Sequence, residues 1–159
     1  MKKEPTLEVE VIALFSELIG RKILKDYEIW ALSTRAILDG KMLAPLKGQI
    51  PPRPHTDTDL HDVEFKVRLS QLIDDFDENR KNPLGLRLAI FWENDFDKEY
   101  PTGHERYQIV DIVDPTREDW VSWSEFRPPP VEKALHDRDT GILIYLLELK
   151  KVVDELKKP

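Results

Sequence analysis

The sequence predicts an α/β fold: one mixed sheet flanked by helices, in a single domain. Three patterns carry that expectation. Short segments with two-residue apolar alternation, or with a continuous apolar run, recur along the chain. Segments with apolar residues at three- and four-residue spacing stand before, between and after them. No internal repeat divides the 159 residues, a length that can bury one hydrophobic core.

The first helix is expected over residues 6–19, where Leu7, Val11, Leu14, Phe15 and Leu18 form one stripe and Thr6 is positioned as N-cap. Gly20 suits its C-terminal side, with Arg21 and Lys22 complementing the dipole. From Tyr27 to Leu43 the aromatic and aliphatic content predicts two short strands, with Ser33-Thr34 between them and Asp39-Gly40 ending or bulging the second. Residues 44–60 contain Pro45, Pro51, Pro52 and Pro54 and read as a long loop.

Asp62 to Val67 alternates as a strand, with Val63, Phe65 and Val67 facing one way and Asp62, Glu64 and Lys66 the other. Leu69, Leu72, Ile73 and Phe76 give a helical stripe that stops before Asn82-Pro83. Leu86 to Trp92 has the apolar character of a mid-sheet strand, and Tyr107 to Val113 is a further strand. Residues 115–138 fit neither period and are expected to be an irregular covering segment. A last helix is expected from a Thr140 cap, with Leu143, Leu146, Leu147, Val153 and Leu156 on its stripe. The domain thus spans residues 1–159, with a core at about 6–113 and an irregular segment plus C-terminal helix at 114–159.

Composition narrows the chemistry. Cysteine is absent, which excludes disulfides, thiolate zinc sites and cysteine nucleophiles. No apolar run approaches the roughly 20 residues that span a bilayer, and no signal-like segment follows the first residues, so a cytoplasmic protein without a membrane partner is expected. The formal net charge of −7 argues against a broadly basic nucleic-acid-binding surface, although it leaves room for a local basic patch beside clustered carboxylates.

Three residues are placed for chemistry. Asp39 falls at a strand end, while Glu64 and Lys66, two apart on the next strand, project from the same face. Carboxylates are the preferred ligands of hard divalent cations, and such a cation activates water and stabilises charge on phosphoryl oxygens. A lysine beside it orients or deprotonates that water, or offsets the developing charge.

The order of elements and these residues resemble the PD-(D/E)XK nuclease superfamily, over about residues 6–113. The match runs from a glutamate-bearing first helix, through the strand ending at Asp39-Gly40, to Glu64-Phe65-Lys66, and on into the helix near Gln71 and the strand Leu86–Trp92. The resemblance implies a restriction-endonuclease-like fold in which Asp39, Glu64 and the Phe65 main-chain carbonyl ligate Mg²⁺ or Mn²⁺. It makes Lys66 the catalytic lysine, Glu10 (with Glu8 as competitor) the extra helix ligand, and Gln71 a substrate-contacting polar residue. The family's proline before the first aspartate is replaced by Leu38.

Two functions follow as expectations. One is a metal-dependent nuclease acting on DNA. The other is a non-catalytic nuclease-like module of a larger assembly, binding nucleic acid or a partner protein, with a homodimer also open.

Other features have plainer readings. His55, Asp57, Asp59 and His61 alternate in or beside the proline-rich loop without a zinc-ligand spacing, so a solvated acidic loop is expected. Glu93 marks a strand terminus that could line the site. Trp120, Trp123 and Phe126 are expected to cover a core rather than stack on bases, with Arg127 the basic residue beside them. Arg21, Lys22, Lys25, Lys150, Lys151, Lys157 and Lys158 are the candidates for a basic patch.

Overall fold

The structure, a computed structural model, describes residues 3–24, 27–32, 40–43, 61–111 and 131–158. In chain order its elements are α1 (Glu8–Gly20), β1 (Glu28–Leu32), β2 (Gly40–Leu43), β3 (His61–Arg68), α2 (Leu69–Asp77), β4 (Leu86–Glu93), α3 (Phe96–Glu99), β5 (Tyr107–Asp111), β6 (Lys133–Asp137), β7 (Leu143–Glu148) and α4 (Leu149–Leu156). The expected class is met: an α/β chain with one mixed sheet, in the order β1-β2-β3-β4-β7-β6-β5, flanked by helices. The loop expected at 44–60, the aromatic segment with Trp120, Trp123, Phe126 and Arg127, and Asp39 all lie outside the described residues.

Strands β1, β2 and β3 form an antiparallel set. Strand β4 then lies parallel to β3, because the helix α2 carries the chain from the end of β3 back to the start of β4. On the far side of β4, β7 is also parallel, and β7, β6 and β5 form an antiparallel set. The central pair therefore has helices over both faces, which is why β4 reads as a nearly unbroken apolar run in the sequence.

Side-chain alternation divides the core into two layers. Val63, Phe65 and Val67 of β3 join Leu88, Ile90 and Trp92 of β4 beneath α1 and α4, where Val11, Leu14, Phe15, Leu18, Val152 and Val153 are buried. On the opposite face Ala89 and Phe91 pack with Leu69, Leu72, Ile73 and Phe76 of α2 and with Phe96 of α3. Glu64 and Lys66 are the register partners of Ala89 and Phe91, which puts them in the second layer, under α2.

Two expectations for the C-terminal third are corrected. The segment read as irregular contains β6 at Lys133–Asp137, and the expected final helix from Thr140 begins only at Leu149. Residues Leu143 to Leu147 are five successive apolar side chains, and such a run satisfies a buried strand as well as a helix. Long-range pairing decides it: β7 hydrogen-bonds β4 along one edge and β6 along the other, and its two faces enter the two core layers, Tyr145 and Leu147 in the first and Ile144 and Leu146 in the second. Thr140 caps no helix; its hydroxyl donates to Asp137 Oδ2 at 2.9 Å within the β6–β7 turn. The N-cap of α1 is likewise Leu7 rather than Thr6, whose hydroxyl donates to Glu10 Oε1 at 3.1 Å.

The turn from β6 into β7 is organised by Asp137, which is wholly buried. Its two carboxylate oxygens accept from Arg106 Nε and Nη2, each at 2.9 Å, and also from Thr140 and the Asp139 backbone N–H. A bidentate guanidinium is a strong partner for a carboxylate, and here it ties the approach to β5 to the end of β6. Gly141 closes the turn at φ 75°, a backbone angle that favours glycine, with its N–H donating to the Asp137 carbonyl at 2.7 Å.

The Arg106 hydrogen bonds hold the Asp137 carboxyl down at about 2, from an ordinary 3.8. A depressed folded-state pKa contributes stability above the unfolded value that is lost as the pH falls through the folded one. Wild-type stability should therefore decline from pH 3.8 toward about 2, and Asp137→Asn should lack that part of the decline. Asp137→Ala removes the acceptor shared by Arg106, Thr140 and the Asp139 N–H and should lower the unfolding free energy by roughly 1–3 kcal/mol at neutral pH, read by urea denaturation. A loss indistinguishable from zero would contradict the structural role.

Candidate active site beneath helix α2

Strand β3 carries Glu64 and Lys66 into a largely apolar layer, and each must meet an opposite charge there. Glu64 is 1% exposed, and the ammonium of Lys81, in the loop after α2, lies 2.8 Å from its Oε1. Lys66 has two anionic partners. Its Nζ is 2.8 Å from Asp75 Oδ2 on α2 and 2.9 Å from Glu8 Oε1 in the first turn of α1. Asp75 in turn accepts from Arg80 Nε at 2.8 Å through its other oxygen. The chain Glu8–Lys66–Asp75–Arg80, with Glu64–Lys81 beside it, links β3 to both α1 and the C-terminal end of α2.

Local structure explains how these groups meet. Strand β3 passes directly into α2, and the side-chain carbonyl of Gln71 accepts from the N–H groups of Val67 and Arg68 at 3.2 and 3.1 Å, covering donors left open at the helix start. The carboxylate of Asp95, just beyond β4, adds bonds to the N–H of Ser70 at 2.9 Å and to its hydroxyl at 2.6 Å. The helix is thereby held over β3. Asp75 lies three residues after Leu72 on its buried side.

Electrostatics follow from the contacts. Burial pulls the Lys66 ammonium toward neutrality, but its hydrogen bonds to Asp75 and Glu8 outweigh this and raise its pKa above the ordinary 10.5. Burial pushes Asp75 up, yet the bonds from Lys66 and Arg80 dominate and lower it below 3.8. Lys66 is accordingly a cation at neutral pH, equipped to donate hydrogen bonds and offset negative charge rather than to take a proton.

The expected site residues are distributed as follows. Glu64 and Lys66 share the α2 face of β3 as anticipated. Asp39 lies outside the described residues; Gly40, which follows it in the chain, opens β2 and pairs with Val63, the residue before Glu64. Of the two candidate glutamates on α1, it is Glu8 that reaches Lys66, while Glu10 is engaged by Thr6. The ring of Phe65 packs into the α1 layer 5.8 Å from Phe15, and its backbone pairs with Ile90 of β4. Gln71 is engaged at the start of α2 through its carbonyl oxygen.

His61 begins β3, whereas His55, Asp57 and Asp59 lie outside the described residues. Glu93, at the end of β4, pairs with Lys150 of α4 at 3.2 Å. Within the expected basic patch, Arg21 lies 3.7 Å from Glu17, Lys150 meets Glu93, and Lys158 lies 2.8 Å from Glu155, so these three cations are matched by acids.

Asp75 and Lys81 were not anticipated. Asp75 could have been found as a charged residue on the buried side of an otherwise apolar stripe; Lys81 lies outside any periodic pattern, and only the tertiary fold brings it to Glu64.

Glu64 suits a hard cation in kind, being an anionic oxygen donor already in contact with a positive charge. In number the described residues fall short, since no group of three or more His, Asp or Glu side chains among them is placed to hold a metal ion. No helix among the described residues is long and apolar enough to cross a membrane. No protein-family model, curated protein or solved structure matches the chain.

The Lys66–Asp75 contact is testable by a double-mutant cycle of Lys66→Met and Asp75→Leu followed by urea denaturation. The coupling should be about 1–3 kcal/mol, with the double variant more stable than the two single losses predict. The pH dependence has a definite sign at each end. Raised Lys66 contributes stability that is full below 10.5 and lost as pH rises through its higher folded value, and lowered Asp75 contributes stability that is lost as pH falls below 3.8. Additive losses, or a pair contribution that changes between these limits, would contradict the assignment.

Proposed function

We propose that this protein is a metal-dependent nuclease that hydrolyses DNA phosphodiester bonds on a restriction-endonuclease-like scaffold. One observation carries the reading: Glu64 and Lys66 project from one face of β3 into the α2 layer, where Glu8 of the first helix converges on Lys66 at 2.9 Å. Three elements of the run α1–β1–β2–β3–α2–β4 thus contribute to one charged cluster, and that run keeps the element order on which the sequence resemblance rests. Asp39, Glu64 and the Phe65 carbonyl are the groups that would hold Mg²⁺ or Mn²⁺. A bound divalent ion supplies an activated water and a positive charge for the phosphoryl oxygens.

The protein's own contribution centres on Lys66. Held between two carboxylates, it is a fixed ammonium with three donors, suited to stabilising charge that develops on a phosphate. Glu8, exposed on its outer side, keeps one of those donors turned toward the molecular surface. Asp75 holds another from within.

The experiment is cleavage of plasmid and linear DNA with Mg²⁺ or Mn²⁺ and with EDTA. Wild type should cut only with metal, and Lys66→Met should reduce the rate by about 100-fold or more while retaining the wild-type circular dichroism spectrum. Activity undiminished in Lys66→Met would contradict the role assigned to this lysine.

A second reading, a non-catalytic module on the same scaffold, is favoured by a specific observation. Glu64 and Lys66 already have close partners, Lys81 for Glu64 and Asp75 for Lys66, and the formal net charge is −7. It predicts no cleavage under any metal condition and a stable complex with a partner protein in a pulldown.

A further inference from the structure

The sheet ends differently on its two sides. Strand β1, at one edge, shifts register against β2 between Ile29 and Ala31, an irregularity of the kind that blunts an edge against further pairing. Strand β5, at the other edge, keeps register with β6 over all five of its residues and contains no lysine, arginine or proline. Two hydrogen bonds fix which of its backbone groups face outward. The Arg138 N–H donates to the Arg106 carbonyl at 2.9 Å, one step beyond Tyr107 and Asp137 in the β5–β6 register. Bonded pairs alternate along an antiparallel ladder, so Gln108 and Val110 turn toward β6 while Tyr107, Ile109 and Asp111 turn outward. The Asp137 N–H agrees, since it donates to the Ile142 carbonyl at 2.9 Å, on the β7 side and away from β5. The outward N–H of Tyr107 is accepted by His104 Nδ1 at 3.2 Å. The N–H and carbonyl of Ile109 have no hydrogen-bond partner among the described residues.

We propose that the outer edge of β5 is a self-association surface. It pairs antiparallel with β5 of a second copy of this chain, about a two-fold axis at Ile109, and joins two sheets into one. Backbone, side chains and charge all favour a second copy over an unrelated strand. A hydrogen-bonded antiparallel pair needs outward-facing groups on both strands, and this axis sets outward residue against outward residue. Ile109 meets the partner's Ile109 through reciprocal N–H to carbonyl bonds, and the Asp111 N–H meets the carbonyl of the partner's Tyr107. The Tyr107 N–H keeps His104. Directly opposite residues share a sheet face, so Ile109, half-buried in the α2 layer, lies against its equivalent. Val110, half-buried in the α1 layer, lies against the partner's Gln108. Asp111, the one acid of the strand, falls opposite the partner's Tyr107. The Arg106 guanidinium stands 5.4 Å from the centre of that ring, so opposite charges approach and no like charges face each other.

The test follows mass by light scattering from roughly 5 µM to 1 mM, a range suited to an interface below standard size. Amide hydrogen exchange is read by NMR at both ends of that range. Wild type should pass from the mass of one chain to that of two. The Ile109 and Asp111 amides should exchange fast when dilute and slowly when concentrated, while Gln108 and Val110 stay protected throughout. Ile109→Pro removes an outward N–H and none of the bonds to β6, and the two-fold axis deletes it twice, so association should weaken about 30-fold or more. Ile109→Lys sets like charges across the axis; it is the substitute if the proline variant does not fold, with a loss of the same direction expected. Leu84→Lys, at an exposed apolar residue between α2 and β4, is the control and should dimerise as wild type does. A single-chain mass at every concentration, with fast exchange at Ile109, overturns the second copy as the occupant. Slow exchange at Ile109 in the monomer overturns the open edge itself. A dimer that neither Ile109 variant weakens overturns β5 as the surface.

Discussion

A charged strand face buried under a helix is the constraint from which the rest of this structure follows. Strand β3 alternates strictly, so placing Val63, Phe65 and Val67 in the α1 layer commits Glu64 and Lys66 to the α2 layer. Ionised groups in that position cost several kcal/mol each unless paired. The fold meets the requirement with Asp75 from α2, Lys81 from the following loop and Glu8 from α1. Helix packing, the loop after α2 and the start of the first helix are therefore all tied to two residues of one strand. A structural ion pair alone would be a costly way to fill that layer, since apolar residues of similar size are often as stabilising or more so. That cost is the physical argument for reading the cluster as functional.

The same constraint bears on how rigid the cluster is. Lys66 is held from within by Asp75, which is itself held by Arg80, and α2 is anchored at its start by Gln71 and Asp95. A catalytic cation gains from such support, because a side chain fixed by its neighbours loses little freedom when it engages a substrate. Glu64, on the same strand face, is met by Lys81 of the loop after α2 at 2.8 Å.

Much of the N-terminal half was legible in the sequence because local periodicity and tertiary environment agree there. The alternation in Asp62–Val67 placed its apolar and charged faces correctly, and the stripe Leu69, Leu72, Ile73, Phe76 marked α2. The C-terminal third was not legible for a physical reason: the run Leu143–Leu147 is buried on both faces of a central strand, so it carries no period that separates strand from helix, and only its pairing with β4 and β6 decides. In the site, Glu64 and Lys66 could be read because their spacing is local. Glu8 could not be separated from Glu10 by stripe position, since the choice depends on where the first turn of α1 meets β3. Asp75 left a faint trace as a charge on a buried helix side, and Lys81 none, because its contact is made by a loop.

The central claim is that Glu64 and Asp39 converge to hold a divalent ion beside Lys66. Its most direct test is a crystal structure of the protein soaked in Mn²⁺, with anomalous scattering used to locate the ion. The account predicts a peak within coordination distance of a Glu64 carboxylate oxygen and an Asp39 carboxylate oxygen, with the Lys66 ammonium nearby. A map with no peak there, and with Glu64 still bonded to Lys81 at high Mn²⁺ concentration, would contradict it.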